Sequence, residues 1–257
     1  MRVDLNCDMG EGFGCYSLGA DEEVMPLVSS ANIACGFHAS DPGTMHRTVR
    51  LAKRHGVAVG AHPSFPDLVG FGRRHLAASP DEVRDDVLYQ VGALWAFCRA
   101  EGVTLAHVKA HGALYNAAAR DLPTALAIAE AVRAVDPGLW LVCLSGSALV
   151  EAARRTGLRH VEEVFADRAY ARDGALVPRT SAGAVIHDAV RVEERALKMV
   201  RDGTVEALGG GEVAIRAGTL CVHGDTPGAV SLVRAIRGRL EREGVEVAAF
   251  SKTEGAT

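Results

Sequence analysis

Four apolar runs of this chain end in a histidine set beside glycine or alanine. They are Cys35-Gly36-Phe37-His38, Val59-Gly60-Ala61-His62, Val108-Lys109-Ala110-His111-Gly112 and Cys221-Val222-His223-Gly224-Asp225. The N-terminal run, Val3 to Glu11, carries Asn6, Asp8 and Glu11 in the matching place. Imidazole titrates near neutrality and suits proton transfer, and a carboxylate such as Asp8 can share that work. Lys109 lies two residues before His111, so in a strand the two share a face. Lys109 is then either a snorkelling surface residue or a desolvated base or anion clamp. Taken singly, each histidine reads as a structural hydrogen-bonder. Together they make a pocket, provided the fold collects them.

Further cations follow other runs. Asp167-Arg168 comes after Val164-Phe165, Arg73-Arg74 after the turn Gly70-Phe71-Gly72, and Arg179 after Pro178. A guanidinium fork at any of these could hold a carboxylate or phosphate. Segment 64–75, rich in Pro and Gly, suits a lid. His46 and His55 fall on a helix and His75 in a loop. His107 and His160 are expected near strand starts, on the opposite rim. The first strand alternates oddly, with Asp4, Asn6 and Asp8 on one face and Val3, Leu5 and Cys7 on the other. Such a polar face is either a pocket wall or the solvated face of an edge strand.

The elements that must position these groups alternate regularly. Strands are expected near 2–7, 31–36, 57–61, 105–110, 139–144, 160–165 and 218–223, with a last extended piece at 245–250. Asp41-Pro42, Ser79-Pro80 with Glu82, and Thr226-Pro227 carry helix-start signals. Gly56, Gly102 and Gly157 mark helix ends. Val83, Val87, Val91, Leu94, Trp95 and Cys98 follow helical spacing. Glycines 209–211 predict a hairpin within 205–215. Strict βα alternation argues for a parallel sheet. Seven main strands favour a distorted (β/α) barrel, in one domain over 1–257, above an open doubly wound sheet. In such a barrel, side chains just past the strand C-termini converge on one rim.

Composition excludes several classes. Twenty-eight basic and 32 acidic residues leave a net charge of −4, which gives no electrostatic case for nucleic acid or an anionic membrane. Six cysteines without a C-x-x-C pair fit a reducing compartment, and no leader or spanning run is evident, so a cytoplasmic protein is expected. No phosphate-binding loop, dinucleotide fingerprint, nucleophile elbow or H-E-x-x-H occurs. A dispersed Asp/His metal site stays possible.

The runs Asp4–Glu11 (DLNCDMGE), Asn32–Pro42 (NIACGFHASDP), Gly60–Asp67 (GAHPSFPD), Gly70–Arg74 (GFGRR) and Val108–Asn116 (VKAHGALYN) closely resemble the LamB/YcsF family. Glu163–Tyr170 (EVFADRAY), Leu176–Arg179 (LVPR) and Cys221–Ala229 (CVHGDTPGA) extend the resemblance over nearly the whole chain. The resemblance implies a barrel of the glycoside hydrolase/deacetylase type and the A subunit of a bacterial 5-oxoprolinase. It further implies ATP-dependent opening of 5-oxoproline to L-glutamate in a complex with subunits B and C. ATP with an accompanying divalent cation, magnesium, is the expected cofactor, and no tightly bound metal is expected. Asp8, His38, Lys109 and His111 are the expected catalytic groups. Asn6, Glu11, His62, Arg73, Asp167, Arg168, Arg179, His223 and Asp225 are expected on the substrate. Two other readings stay open: a metal-dependent amide or acetyl hydrolase, and a non-catalytic component that binds substrate for its partners.

Overall fold

The computed structural model describes residues 1–222 and 228–252. Along the chain run β1 (Arg2–Met9), a short α1 (Asp21–Val24), β2 (Ser30–Ala34), α2 (Pro42–His55), β3 (Ala58–His62) and α3 (Pro80–Glu101). There follow β4 (Leu105–Val108), α4 (Gly112–Ala118), α5 (Leu122–Val135), β5 (Trp140–Leu144), α6 (Ala148–Thr156) and β6 (Arg159–Phe165). Last come α7 (Ala189–Asp202), β7 (Thr204–Glu206), β8 (Glu212–Ala214), β9 (Thr219–Val222), α8 (Ala229–Arg242) and β10 (Glu246–Val247). Strands β1 to β6 pair in sequence order and all parallel, β9 joins β6, and β9 returns to β1 with Asp4 opposite Thr219 and Cys7 opposite Val222. The cylinder is thus closed by seven parallel strands, as expected. The last extended piece is shorter than 245–250: β10 only flanks the start of β1, Arg2 opposite Glu246.

Local chemistry explains the helices. Asp41 caps α2 by accepting from the Thr44 amide at 3.0 Å. Ser79 and Glu82 form the reciprocal capping box of α3. Gly56, Gly102 and Gly157 stop α2, α3 and α6 in the left-handed conformation. The Thr226-Pro227 start signal lies outside the described residues. On α3, Val83, Val87, Val91, Leu94 and Cys98 are buried against the barrel. Trp95 is not: it is 41% exposed, with the Arg99 guanidinium 5.2 Å over its ring. The hairpin around glycines 209–211 forms as β7 and β8 and carries the loop after β6, with Leu208 donating to the Tyr170 carbonyl at 2.7 Å. All six cysteines are free thiols. Among the described residues no helix is long and apolar enough to cross a membrane.

One close approach sets the barrel interior. A Cβ on Gly60 of β3 would fall 2.0 Å from His107 Nε2 on β4, so only glycine leaves room for that ring. His107 is therefore not at the opposite rim, as its place in sequence suggested. It is buried inside the cylinder, 2.8 Å from Asn32 Oδ1, and burial above all pushes its imidazole down to about 3.

Candidate active site

The polar face of β1 is the spine of the site. β1 is flanked by β2 and β9, so the edge-strand reading fails and all three polar side chains are buried. They resolve into layers. Asp4 accepts from Ser29 at 2.6 Å, Ser30 at 2.7 Å and Thr219. Asn6 donates to Thr219 at 2.6 Å and to Glu163 at 3.0 Å, and its oxygen accepts from Asn32 at 2.7 Å. Of the three, Asp8 alone reaches the cavity; Asp4 and Asn6 form the hydrogen-bonded floor beneath it.

Lys109 is the centre of this floor. Although β4 ends at Val108, the chain stays pinned to β3: Lys109 N donates to the Ala61 carbonyl at 2.9 Å and His111 N to the Pro63 carbonyl at 2.8 Å. The ammonium meets Glu163 at 2.9 Å, Asp8 at 3.0 Å, Cys221 Sγ at 3.0 Å and Asn6 Oδ1 at 3.2 Å. Burial works against the charge, but Asp8, Cys221 and Glu163 outweigh it and hold the lysine well above its ordinary range. Lys109 is a fixed cation and not a base. Glu163 is held in turn by Tyr115, whose hydroxyl donates to Oε2 at 2.6 Å.

Three imidazoles stand beside Asp8. His62 Nδ1 faces the Lys109 carbonyl at 2.7 Å, and His111 Nε2 faces the Phe71 carbonyl at 3.0 Å. Their other nitrogens meet at 3.0 Å, and His62 Nε2 lies 3.3 Å from Asp8 Oδ2. His38 stacks on His111 with ring centroids 3.9 Å apart and its Nε2 3.6 Å from Glu11 Oε1. Desolvation above all pushes both His38 and His111 well below the usual histidine range, so both are neutral at pH 7. Donor atoms of Glu11, His38, His62 and His111 lie within 4.8 Å of one another, a set that could hold a metal ion.

The expected lid, 64–75, is an anchored wall. Gly72 takes φ +62°, and a Cβ there would meet Ser64 Oγ at 2.3 Å and His38 Cβ at 2.8 Å. Its carbonyl accepts from Ala113 N at 2.8 Å, and Asp67 pins the turn by accepting from Gly70 N at 2.9 Å. Arg74 is spent on Asp67. Arg73, with its guanidinium 4.8 Å over the Phe71 ring, instead lines a cavity of about 920 Å³ together with Asp8, His62, Lys109 and His111.

Arg168 and Arg179 line the same cavity from the loop after β6. Arg168 donates to the Val177 carbonyl at 2.7 Å; burial, then Arg179, lowers it to about 10, which leaves it charged at neutral pH. From α7, Arg195 fixes this loop by donating to the carbonyls of Ala166 at 3.0 Å and Arg168 at 2.9 Å. The arrangement combines a buried ammonium, a carboxylate and imidazoles on the floor with guanidinium groups on the wall. It suits activation of a carbonyl or phosphoryl group on a small anionic molecule.

Seven expected residues thus line the cavity: Asp8, His62, Arg73, Lys109, His111, Arg168 and Arg179. Asn6, Glu11, His38 and Asp167 are buried and do not line it. His223 and Asp225 lie outside the described residues. Sequence reasoning missed Glu163, Asn32, Tyr115 and Cys221. A signal existed for Asn32, the one polar residue of the otherwise apolar run 31–36, the same anomaly that singled out β1. Glu163 lies in a strand that also carries Arg159, His160 and Glu162 and gave no such signal.

The class these features define is a closed parallel β/α barrel with a polar rim pocket. The chain belongs to the LamB/YcsF family, whose model matches residues 3–255. It is 61% identical over 250 residues to the 5-oxoprolinase A subunit from a strain of Thermus thermophilus, covering 97% of this chain and all of that one. Identity to the protein of the same name from Pyrococcus abyssi is 56% over 247 residues, 96% of this chain and 97% of that one. A solved structure, described as a lactam utilization protein from Thermus thermophilus, superposes with a TM-score of 0.92 at 60% identity, covering 97% and 100% of the two chains.

Proposed function

We propose that this chain is the A subunit of an ATP-dependent 5-oxoprolinase, opening 5-oxoproline to L-glutamate while ATP yields ADP and phosphate. The observation that carries the reading is full-length identity of about 60% to proteins of that name, with a pocket whose chemistry fits the substrate. A five-membered lactam is a stable amide, so its carbonyl must be activated before water can attack. In this reading the lactam oxygen would take the γ-phosphoryl group of magnesium-bound ATP with release of ADP, which makes the ring carbon electrophilic. A first water would add there, the C–N bond would break as its nitrogen takes up a proton, and a second water would release phosphate from the acyl phosphate. The Lys109 ammonium offsets the charge that develops on oxygen. Asp8, which lines the cavity beside His62, accepts the proton of the attacking water. His38 is set behind His111, and His111 Nδ1 points toward His62 and Glu11, which makes both poorer bases. Arg73, Arg168 and Arg179 hold the substrate carboxylate. With no phosphate-binding loop in the sequence, subunits B and C would contribute to holding ATP.

The test is oxoproline-dependent phosphate release by the chain with and without subunits B and C. Turnover in the full complex is expected to fall by about 100-fold or more in Lys109→Ala, the scale of losing one oxyanion donor. Calorimetric binding of 5-oxoproline by the same variant reports that the pocket is still folded. Unchanged turnover would remove the clamp role, and a complex that makes no glutamate would remove the activity.

A further inference from the structure

The hydrogen bonds of the imidazole cluster fix more than its position. A carbonyl oxygen only accepts, so His62 carries its proton on Nδ1 and His111 on Nε2. In the neutral rings His62 Nε2 and His111 Nδ1 are then bare lone pairs, directed at one another across 3.0 Å. Carboxylate oxygens close the same space, Asp8 Oδ2 at 3.3 Å from the first and Glu11 Oε1 at 3.7 Å from the second. Two ring lone pairs facing one another at 3.0 Å repel unless a cation lies between them. His38 sharpens the point. Its ring is fully buried, and among the described residues neither of its nitrogens has a hydrogen-bond partner, although Glu11 Oε1 stands 3.6 Å from Nε2.

We propose that Glu11, His38, His62 and His111 bind one divalent transition-metal ion of the zinc type. Three imidazoles and a carboxylate are a borderline donor set that such an ion prefers over calcium or magnesium. Tetrahedral ligands at the usual zinc distances are about 3.4 Å apart; three of the six pairs stand at 3.0, 3.6 and 3.7 Å, and all four atoms fall within 4.8 Å, so the rings need to draw in only slightly around an ion. The backbone carbonyls behind His62 and His111 are the outer partners that orient metal-bound histidines and select their tautomers. This differs from the expectation from sequence that no metal is tightly held. It stands independently of the proposed reaction, and its first consequence is to lock the Phe71 turn and the rings together.

The test needs no activity assay. The chain, stripped with chelator and dialysed against zinc chloride, is expected to hold one ion per molecule and to melt at a higher temperature as zinc rises. Glu11→Gln and His38→Gln are each expected to weaken binding at least tenfold. Cobalt in the wild-type chain is expected to give the intense visible bands of a tetrahedral nitrogen and oxygen site, a readout that requires no variant to fold. The proposal falls if wild-type cobalt shows only the weak spectrum of the hydrated ion. It falls equally if both variants bind zinc as tightly as the wild type, which would put the ion on exposed groups such as Cys15 or His75. Nitrogen-15 spectra of the stripped chain showing His62 or His111 doubly protonated at pH 7.5 would identify the cation as a proton and end the argument.

Discussion

Lys109 is a charged group that burial alone would neutralise, and it keeps its proton because two carboxylates, a thiol and an amide oxygen converge on it. Asp4 shows the opposite balance one layer away. Burial, reinforced by Glu163, outweighs the hydrogen bonds from Ser29, Thr219 and Ser30 and pushes its carboxyl up to about 6. An unfolded aspartate titrates near 4, so the folded chain holds this proton the more tightly. The stability contributed by Asp4 is therefore fully present below about pH 4 and is lost as pH rises through about 6, on the order of 2–3 kcal/mol in all. Denaturant titrations between pH 4 and 6.5 should show that decline in the wild type and a flatter profile in Asp4→Asn, which stays neutral. Parallel profiles would mean that another group carries the dependence.

Two substitutions separate elements that hold the site from elements that only hold the fold. Gly72→Ala sets a Cβ against Ser64 and His38 at a left-handed backbone position, so the Phe71 turn must shift away from His111. Turnover of the assembled enzyme should fall at least tenfold, together with the melting temperature. Ser79→Ala removes the capping box of α3, far from the rings in function though similar in chemical size. Its expected cost is about 1 kcal/mol in a denaturant melt, with kcat unchanged. The two outcomes reflect what was legible locally. The capping box was readable because its partners are three residues apart. The wall built from 64–75 was not, and its Pro- and Gly-rich composition suggested a lid. Its anchors are the Pro63 and Gly72 carbonyls held by His111 and Ala113, contacts that no local pattern encodes.

At the scale of the whole cylinder the seams are unequal. β2 and β3 pair along their whole length, whereas β4 meets β5 only through His107 opposite Trp140 and Val108 opposite Leu141. Hydrogen exchange should therefore be faster, by about tenfold, for amides at the β4–β5 seam than at β2–β3, as measured by mass spectrometry. Equal protection would show that the helices outside, not the ladder, set local stability. The chain by itself determined the alternation of strands and helices, the helix caps, the parallel barrel they favour and the positions of Asp8, His62, Lys109 and His111 at strand ends; closure was seen only in the β1–β9 pairing. Those follow from periodicities of two and 3.6 residues and from cap chemistry, which act over a few positions. Tertiary structure alone decided depth: that Asn6 and Asp4 lie under the pocket, that Glu163 faces Lys109, that His107 turns inward past Gly60 and that bare ring nitrogens meet. Depth depends on the stagger between strands and on which neighbour lacks a side chain, and both are set only when β9 closes on β1.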